Sequence, residues 1–422
     1  MSDFIFIFLF SLILIVPIFL VYFYQKKEGF YSTYLAFYVL YFVYILFIPL
    51  ELYITNNSYF EKGANFIEVS SKINIILFQS LFSLILTFFS LYLFLGFRVD
   101  SSINKNIFIN KLFVISFTLC FCFLFRDELI LSFLDYANVA NISYGNQFFS
   151  IFKYLILLNF VVLGVRLYLI DSNKIYLLFL LIPFFFGAFS SDKNPMIMAL
   201  IGFVFLFFEN KKYSLFRIFS LILMLIPSLY FVLVSVLMFS YWRAGFPFIE
   251  SYSLAYHNFS FTKIDPAGPF LSIATTLNQN SSLLLGASYL DNFSQLIPKF
   301  IYENRGSGLA EKFAQNNMAA WQEGQGYGYS PFSEAIENFG LLAFFHFGII
   351  FTLWALIWNL CKKAFYWKYC SLGTFNIFYK IYGFYFLVLI FRIDSLILFK
   401  ILPLYLLFGT ILMFFSLKEV KQ

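Results

Sequence analysis

Runs of about twenty apolar residues recur along this chain, and few folds can absorb them. A helix needs about 20 mostly apolar residues to cross a bilayer, with its backbone groups satisfied internally. Eleven candidate spans can be drawn, at residues 4–24, 31–52, 73–96, 111–125, 148–170, 175–189, 195–208, 215–239, 334–360, 375–391 and 395–416. Over 422 residues, 61% are hydrophobic and 12% charged, where a soluble domain has about half and about a quarter. That balance excludes a soluble enzyme, a disordered chain and a nucleic-acid binder. The expected class is an all-α polytopic membrane protein. The first run is too long for a cleaved leader and is expected to stay as a permanent span.

The net charge of +6 is read through the positive-inside rule. On one side, the loops carry Lys26 and Lys27; Arg98, Lys105 and Lys111; Arg166 and Lys174; and Lys211, Lys212 and Arg217. Lys362, Lys363, Lys368 and Lys380 follow, with Lys418 and Lys421 in the tail. On the other side lie Glu51, Glu61, Glu68, Asp127, Glu128, Asp135 and Asp192. The expectation is an extracytoplasmic N-terminus and a cytoplasmic C-terminus, which an odd number of spans requires. The four cysteines have no metal-site framework around them and are expected to be free thiols. The 66 Phe and 30 Tyr are read as compositional bias, not as a cofactor box.

One segment departs from the short-loop pattern. Residues 240–333 are polar, rich in Gly, Asn, Gln and Ser, and fall on the outer face. They are expected to form a helical extracytoplasmic domain between spans 1–8 (residues 1–239) and spans 9–11 (residues 334–422). Long polar loops are where function concentrates. No P-loop, GxGxxG turn or HExxH occurs, and His257 and His346 are the only histidines. A nucleotide energy source and a multi-histidine metal site are therefore not expected, and no cofactor is implied.

Four local patterns carry the chemistry. In Ser190-Ser191-Asp192-Lys193-Asn194-Pro195, Asn194 can cap a helix and Pro195 suits its first turn. Lys193 would then stand beside free N–H groups as an anion site, or set topology paired with Asp192. Arg243, in Tyr241-Trp242-Arg243, offers a planar donor fork for phosphate at the membrane boundary, or belongs to an interfacial aromatic belt. Lys299 and Arg305 add cations to a mixed loop. The strongest pattern is Gly324-Gln325-Gly326-Tyr327-Gly328-Tyr329-Ser330-Pro331 leading to Glu334, Glu337, Asn338, Phe339 and Gly340. Ser330 can cap a helix with Pro331 in first place. Glu334, Glu337 and Asn338 then share a face at the start of the ninth span. Partial burial would raise a carboxylate and suit it to general-base work.

These residues, with the architecture, resemble the Wzy-type oligosaccharide repeat-unit polymerases of O-antigen and capsule. The resemblance covers nearly the whole chain: many spans, almost no cytoplasmic domain and one large late outer loop. Locally it rests on Ser191-Asp192-Lys193-Asn194-Pro195, on Gly286-Ala287-Ser288-Tyr289 leading to Ile297-Pro298-Lys299, and on Gly326 to Ser330 leading to Glu334 through Gly340. Many relatives carry an arginine where this chain has Lys193.

The resemblance implies a GT-C-like inverting glycosyltransferase of the bacterial inner membrane. It would join undecaprenyl-pyrophosphate-linked glycans, with a chain-length regulator as partner and no metal. Lys193, Arg243, Arg305 and Lys299 would hold the pyrophosphate. Glu337 or Glu334 would be the base, with His257 as the weaker alternative. Asn338 joins them as a substrate-binding residue. Trp321, Tyr327, Tyr329 and Tyr289 would stack on sugars. An O-antigen ligase shares the architecture and donor, although His257 lacks a convincing setting for that reaction. A lipid-linked oligosaccharide flippase should carry ionisable residues along mid-membrane, where this chain has few. A structural assembly subunit is the remaining alternative.

Overall fold

The computed structural model describes residues 3–57, 59–62, 65–69, 72–94, 107–109, 111–124, 126, 147–190, 193–208, 211–243, 245–263, 267–279, 283–294, 297, 301–302, 308–317, 328–343, 353, 356, 360, 372–392, 395 and 402–419. Among the described residues the chain is helical apart from two short antiparallel ribbons, Tyr59–Lys62 with Asn65–Glu68 and Ile107–Ile109 with Leu417–Glu419. Among them too, three helical segments are long and apolar enough to cross a membrane, by length and composition: Asp3–Lys27, Thr33–Ile54 and Ile73–Leu93. The chain divides into two compact units. The first holds Met1–Gly96, Asn210–Leu356 and Leu387–Lys400; the second holds Phe97–Glu209, Ile357–Phe386 and Ile401–Gln422.

In the first unit the helices run up and down. Asp3–Glu28 ends in Lys26 and Lys27, where a C-terminal helix dipole favours positive charge. Lys27 Nζ donates to the Tyr92 carbonyl at 2.6 Å and lies 3.5 Å from the Tyr92 ring centroid. Gln25 clasps the Tyr213 backbone in both directions, donating at 2.6 Å and accepting at 3.0 Å. The basic helix ends therefore meet at one end of the unit. The Tyr53 ring stacks on Phe6 at 3.8 Å, so Thr33–Ile54 returns the chain to the opposite end. Tyrosine phenols tie this middle helix to its neighbours: Tyr34 donates to the Leu84 carbonyl at 3.2 Å and Tyr38 to the Ile13 carbonyl at 3.4 Å. The helix is not uniform. Residues Phe42–Leu46 form a wide π turn just before Pro49, which has no N–H to offer the regular ladder.

Within residues 240–333 the described elements include helices Phe248–His257, Ala267–Asn278, Ala287–Ser294 and Leu309–Asn317. This segment joins the end that holds Tyr53. Phe261 stacks on Phe47 at 4.4 Å, and Asn278 Nδ2 donates to the Glu68 carbonyl of the ribbon at 2.8 Å.

In the second unit, helices Gln147–Asp171, Leu178–Ser190 and Lys193–Phe208 pack together. Asn159 Nδ2 donates to the Tyr382 hydroxyl at 2.7 Å, satisfying polar groups inside an apolar contact. Arg166 is corrected here. It is not a loop residue, because the helix continues to Asp171 and buries Arg166 fully. The cap expected at Asn194 is also corrected. The helix already begins at Lys193, and the Asn194 amide instead donates to the Tyr154 hydroxyl at 3.3 Å.

Candidate functional site

The site is built on one nine-residue helix, Pro331–Phe339. Its start follows local chemistry: Ser330 caps it, its side chain accepting from the Phe332 N–H at 3.1 Å, and Pro331 takes the first position. Its end is set by Gly340, whose φ of 58° is a left-handed conformation that stops a helix. At about 1.5 Å per residue this helix is about 14 Å long, roughly half a hydrocarbon core. The expected ninth span is therefore interrupted at Gly340: its first six residues belong to this short helix, and most of 344–360 lies outside the described residues.

Two sets of contacts lock this helix. On one side, Ser272 of Ala267–Asn278 is a hub. Its hydroxyl donates to the Pro269 carbonyl at 2.8 Å, so it accepts from the Ser330 N–H at 3.0 Å and from the Ser333 hydroxyl at 2.7 Å. Gly328 makes this approach possible. It has φ +80°, and a Cβ there would lie 3.1 Å from both Gly268 Cα and Pro269 Cδ.

On the other side, Glu334 is completely buried. Its Oε1 accepts from the Ser288 hydroxyl at 2.8 Å, Asn292 Nδ2 at 3.1 Å and the Ser395 hydroxyl at 3.0 Å. Its Oε2 accepts from the Ser395 N–H at 2.7 Å. An ionised carboxylate is the acceptor that four converging donors suit. Asn338 extends the network. Its Oδ1 accepts from the Gly286 N–H at 2.8 Å, and its Nδ2 donates to the Ser288 hydroxyl and the Glu334 carbonyl, each at 2.7 Å. The Leu284 and Leu285 N–H groups cap the Glu337 and Asn338 carbonyls. Thus the loop before Ala287–Ser294 closes the C-terminal end of the acidic helix.

Glu337 lies in a different setting, only partly buried. Its Oε1 accepts from the Tyr329 hydroxyl at 2.9 Å and the Thr276 hydroxyl at 3.5 Å. Burial pushes this carboxyl above the usual carboxylate range. The Tyr329 and Thr276 hydrogen bonds and the charge of Lys312 pull it partly back. Tyr329 is held by its ring, 5.5 Å from that of Phe313 on Leu309–Asn317. The Tyr289 phenol is pushed up by burial and then by the Glu334 charge, partly offset by the Asn338 amide, with Glu337 adding to the rise. Tyr289 therefore faces both carboxylates and is half-buried.

Three expected roles change as a result. Glu334 cannot meet a substrate hydroxyl, because it has no exposed surface and its oxygens are committed. Asn338 holds the loop at Gly286 and Ser288 and is buried rather than turned to substrate. The Tyr329 ring, 1% exposed, is no stacking platform; its hydroxyl orients Glu337. Lys193 begins one helix and Arg243 ends another, but their side chains lie outside the described residues. So do Lys299, Arg305, Trp321 and Tyr327 in full. His257 is exposed in the last turn of Phe248–His257.

Thr276, Ser272, Asn292, Lys312 and Ser395 were not singled out from the sequence, and Ser288 was noted only within the Gly286–Tyr289 stretch. Nothing local distinguishes them, because they act 42 to 61 residues from their partners where the separation is fixed by hydrogen bonds. Among the described residues, no three His, Cys, Asp or Glu side chains gather where a metal could bind. No protein-family model, curated protein or solved structure matches the chain.

Proposed function

We propose that this protein polymerises undecaprenyl-pyrophosphate-linked oligosaccharide repeat units on the outer face of the bacterial inner membrane. The observation that carries this reading is the Glu337 carboxylate, raised by burial yet still partly open, oriented by Tyr329 and Thr276 on a short helix. A general base must reach a proton and have a pKa near the working pH. Glu337 keeps an open side and its carboxyl is raised by burial, whereas Glu334 is sealed and its oxygens are committed.

In the proposed step, a sugar hydroxyl of the acceptor repeat unit attacks the anomeric carbon of the donor glycan. The new glycosidic bond forms with inversion as the bond from that carbon to the lipid pyrophosphate breaks. The hydroxyl proton passes to Glu337, and the pyrophosphate leaves with the bond electrons. Cations stabilise that developing charge; Arg243, Lys299 and Arg305 are the proposed set. The same reading keeps eleven spans in a GT-C-like arrangement, with the N-terminus outside and the C-terminus in the cytoplasm. A chain-length regulator is its proposed protein partner.

The test is glycan length on a deletion strain, resolved by gel, with the native gene or Glu337→Gln restored. A ladder with the native gene and a single repeat unit without it supports polymerisation. Loss of even the single unit, with lipid-linked glycan accumulating, points to a ligase or flippase instead. The leaflet that holds the accumulated glycan separates those two. Arg243→Ala and Arg305→Ala are each expected to cut polymer formation by orders of magnitude; unchanged ladders in both sink the cation set.

A further inference from the structure

The helix Leu215–Arg243 is 29 residues long, about 43 Å at 1.5 Å per residue. That matches a hydrocarbon core plus both headgroup layers, about 40–45 Å. Phe216, Met224 and Phe231 stand exposed on it, as lipid-facing side chains do. After Arg243 the chain turns, and Phe248–His257 runs back along the last turns of this helix. Trp242 meets Phe248 at 6.4 Å, Ala255 packs with Val234 and Met238, and Phe259 reaches Tyr230 at 4.8 Å. Tyr230 stands about 18 Å before Trp242 along the helix axis, so on that fit the return helix starts at headgroup depth and runs down beside the upper acyl chains.

At about 100° per residue, its side chains sort into three faces. Ser251 and Ala255 are buried against the longer helix, with Leu254 beside them half-buried. Glu250, Ser253 and His257 form an exposed polar strip. Phe248, Ile249, Tyr252 and Tyr256 fall within one sector of about 100°, the width of an apolar helix face, and all four are exposed, Ile249 by 84%. A soluble surface would not gather four large apolar side chains there. Tyr and Trp with an apolar body and a polar tip are the side chains that settle at headgroup depth.

We propose that this return helix is a lipid-contacting arm. Its Phe248/Ile249/Tyr252/Tyr256 face contacts headgroups and upper acyl chains of the outer leaflet, continuous with the exposed face of Leu215–Arg243. The polar strip faces water. No Lys or Arg lies on the strip, so the contact is read as apolar and is tested without anionic lipid.

The experiment uses the full chain in zwitterionic phosphatidylcholine nanodiscs, with Cys120, Cys122, Cys361 and Cys370 replaced by Ser. A fluorescent NBD label is placed singly through Ile249→Cys, Tyr252→Cys or Ser253→Cys. At Ile249 and Tyr252, blue-shifted emission quenched by shallow spin-labelled lipid is expected. At Ser253, quenching by aqueous iodide is expected. Equal iodide quenching at all three positions overturns the proposal. Protection of 249 and 252 from both quenchers also overturns it, and identifies a protein, such as a second copy, as the cover. If the cysteine-free chain does not assemble, a benzophenone photocrosslinker at Ile249 in the native background decides. A lipid adduct by mass is expected; a protein adduct alone, or none, overturns the proposal. None of these readouts depends on polymerase activity.

Discussion

Glu334 and Glu337 stand three residues apart on one short helix, yet the chain treats them in opposite ways. Glu334 is sealed and receives four hydrogen bonds from Ser288, Asn292 and Ser395. Glu337 keeps an open side and receives two hydroxyls, one of them at 3.5 Å. Burial alone penalises a charged carboxylate; enough donors reverse that penalty. The difference teaches that proximity and residue type do not assign a role. The number of donors and the access to solvent do. One carboxylate organises the fold and the other is available for chemistry.

The largest effect is expected from Glu334→Ala. It strips the common acceptor from four donors on two separate segments, at a cost of about 3 kcal/mol or more. Yield of folded protein in the membrane and thermal unfolding in detergent measure it; native-like values in both would erase the contrast. Glu337→Gln is expected to leave those two measurements unchanged and to lower polymer formation by about 10²–10⁴-fold. A loss within a few-fold removes Glu337 as the base. Ser395→Ala should cost only about 1 kcal/mol, because the Ser395 N–H still donates to Oε2; a far larger loss of thermal stability would show that the hydroxyl, not the backbone, secures Glu334.

Subtler changes sharpen the comparison through pH. If Glu337 is the proposed base it acts deprotonated, so activity is expected to fall on the acid side, with that limb above the ordinary carboxylate range. The Tyr329 hydroxyl favours the charged form. Tyr329→Phe is therefore expected to move the acid limb to still higher pH, read from polymer formed against pH in proteoliposomes. A limb that stays put or moves down contradicts the hydrogen bond. Lys312→Gln should move it the same way by less, since Lys312 is exposed, and the difference should shrink in high salt.

The start of the acidic helix was legible because it is local: a serine cap, a following proline and carboxylates at helical spacing. Its end was legible too, but was read past. Gly340 directly after Asn338-Phe339 is a helix-stop signal, and a long apolar stretch after it drew the span boundary back to Glu334. The up-and-down helices followed from apolar runs, and their bounds moved by only a few residues. What the sequence withheld is nonlocal. Nothing near Ser395 says that it meets Glu334, 61 residues away. Without that contact, Glu334 and Glu337 are two similar acids. Asn338 also read as a polar residue available to substrate, because its three partners come from a loop 50 residues earlier and from its own helix.

The bond from Ser395 to Glu334 also has a consequence in time. The ribosome makes the acidic helix well before it makes the residue that completes it. Through 61 residues of further synthesis, the newborn carboxylate lacks both Ser395 donors. The acidic helix and the segment packed on it therefore reach their final arrangement late, when Ser395 arrives. A message cut short before codon 395 is expected to yield a protein whose acidic centre never closes.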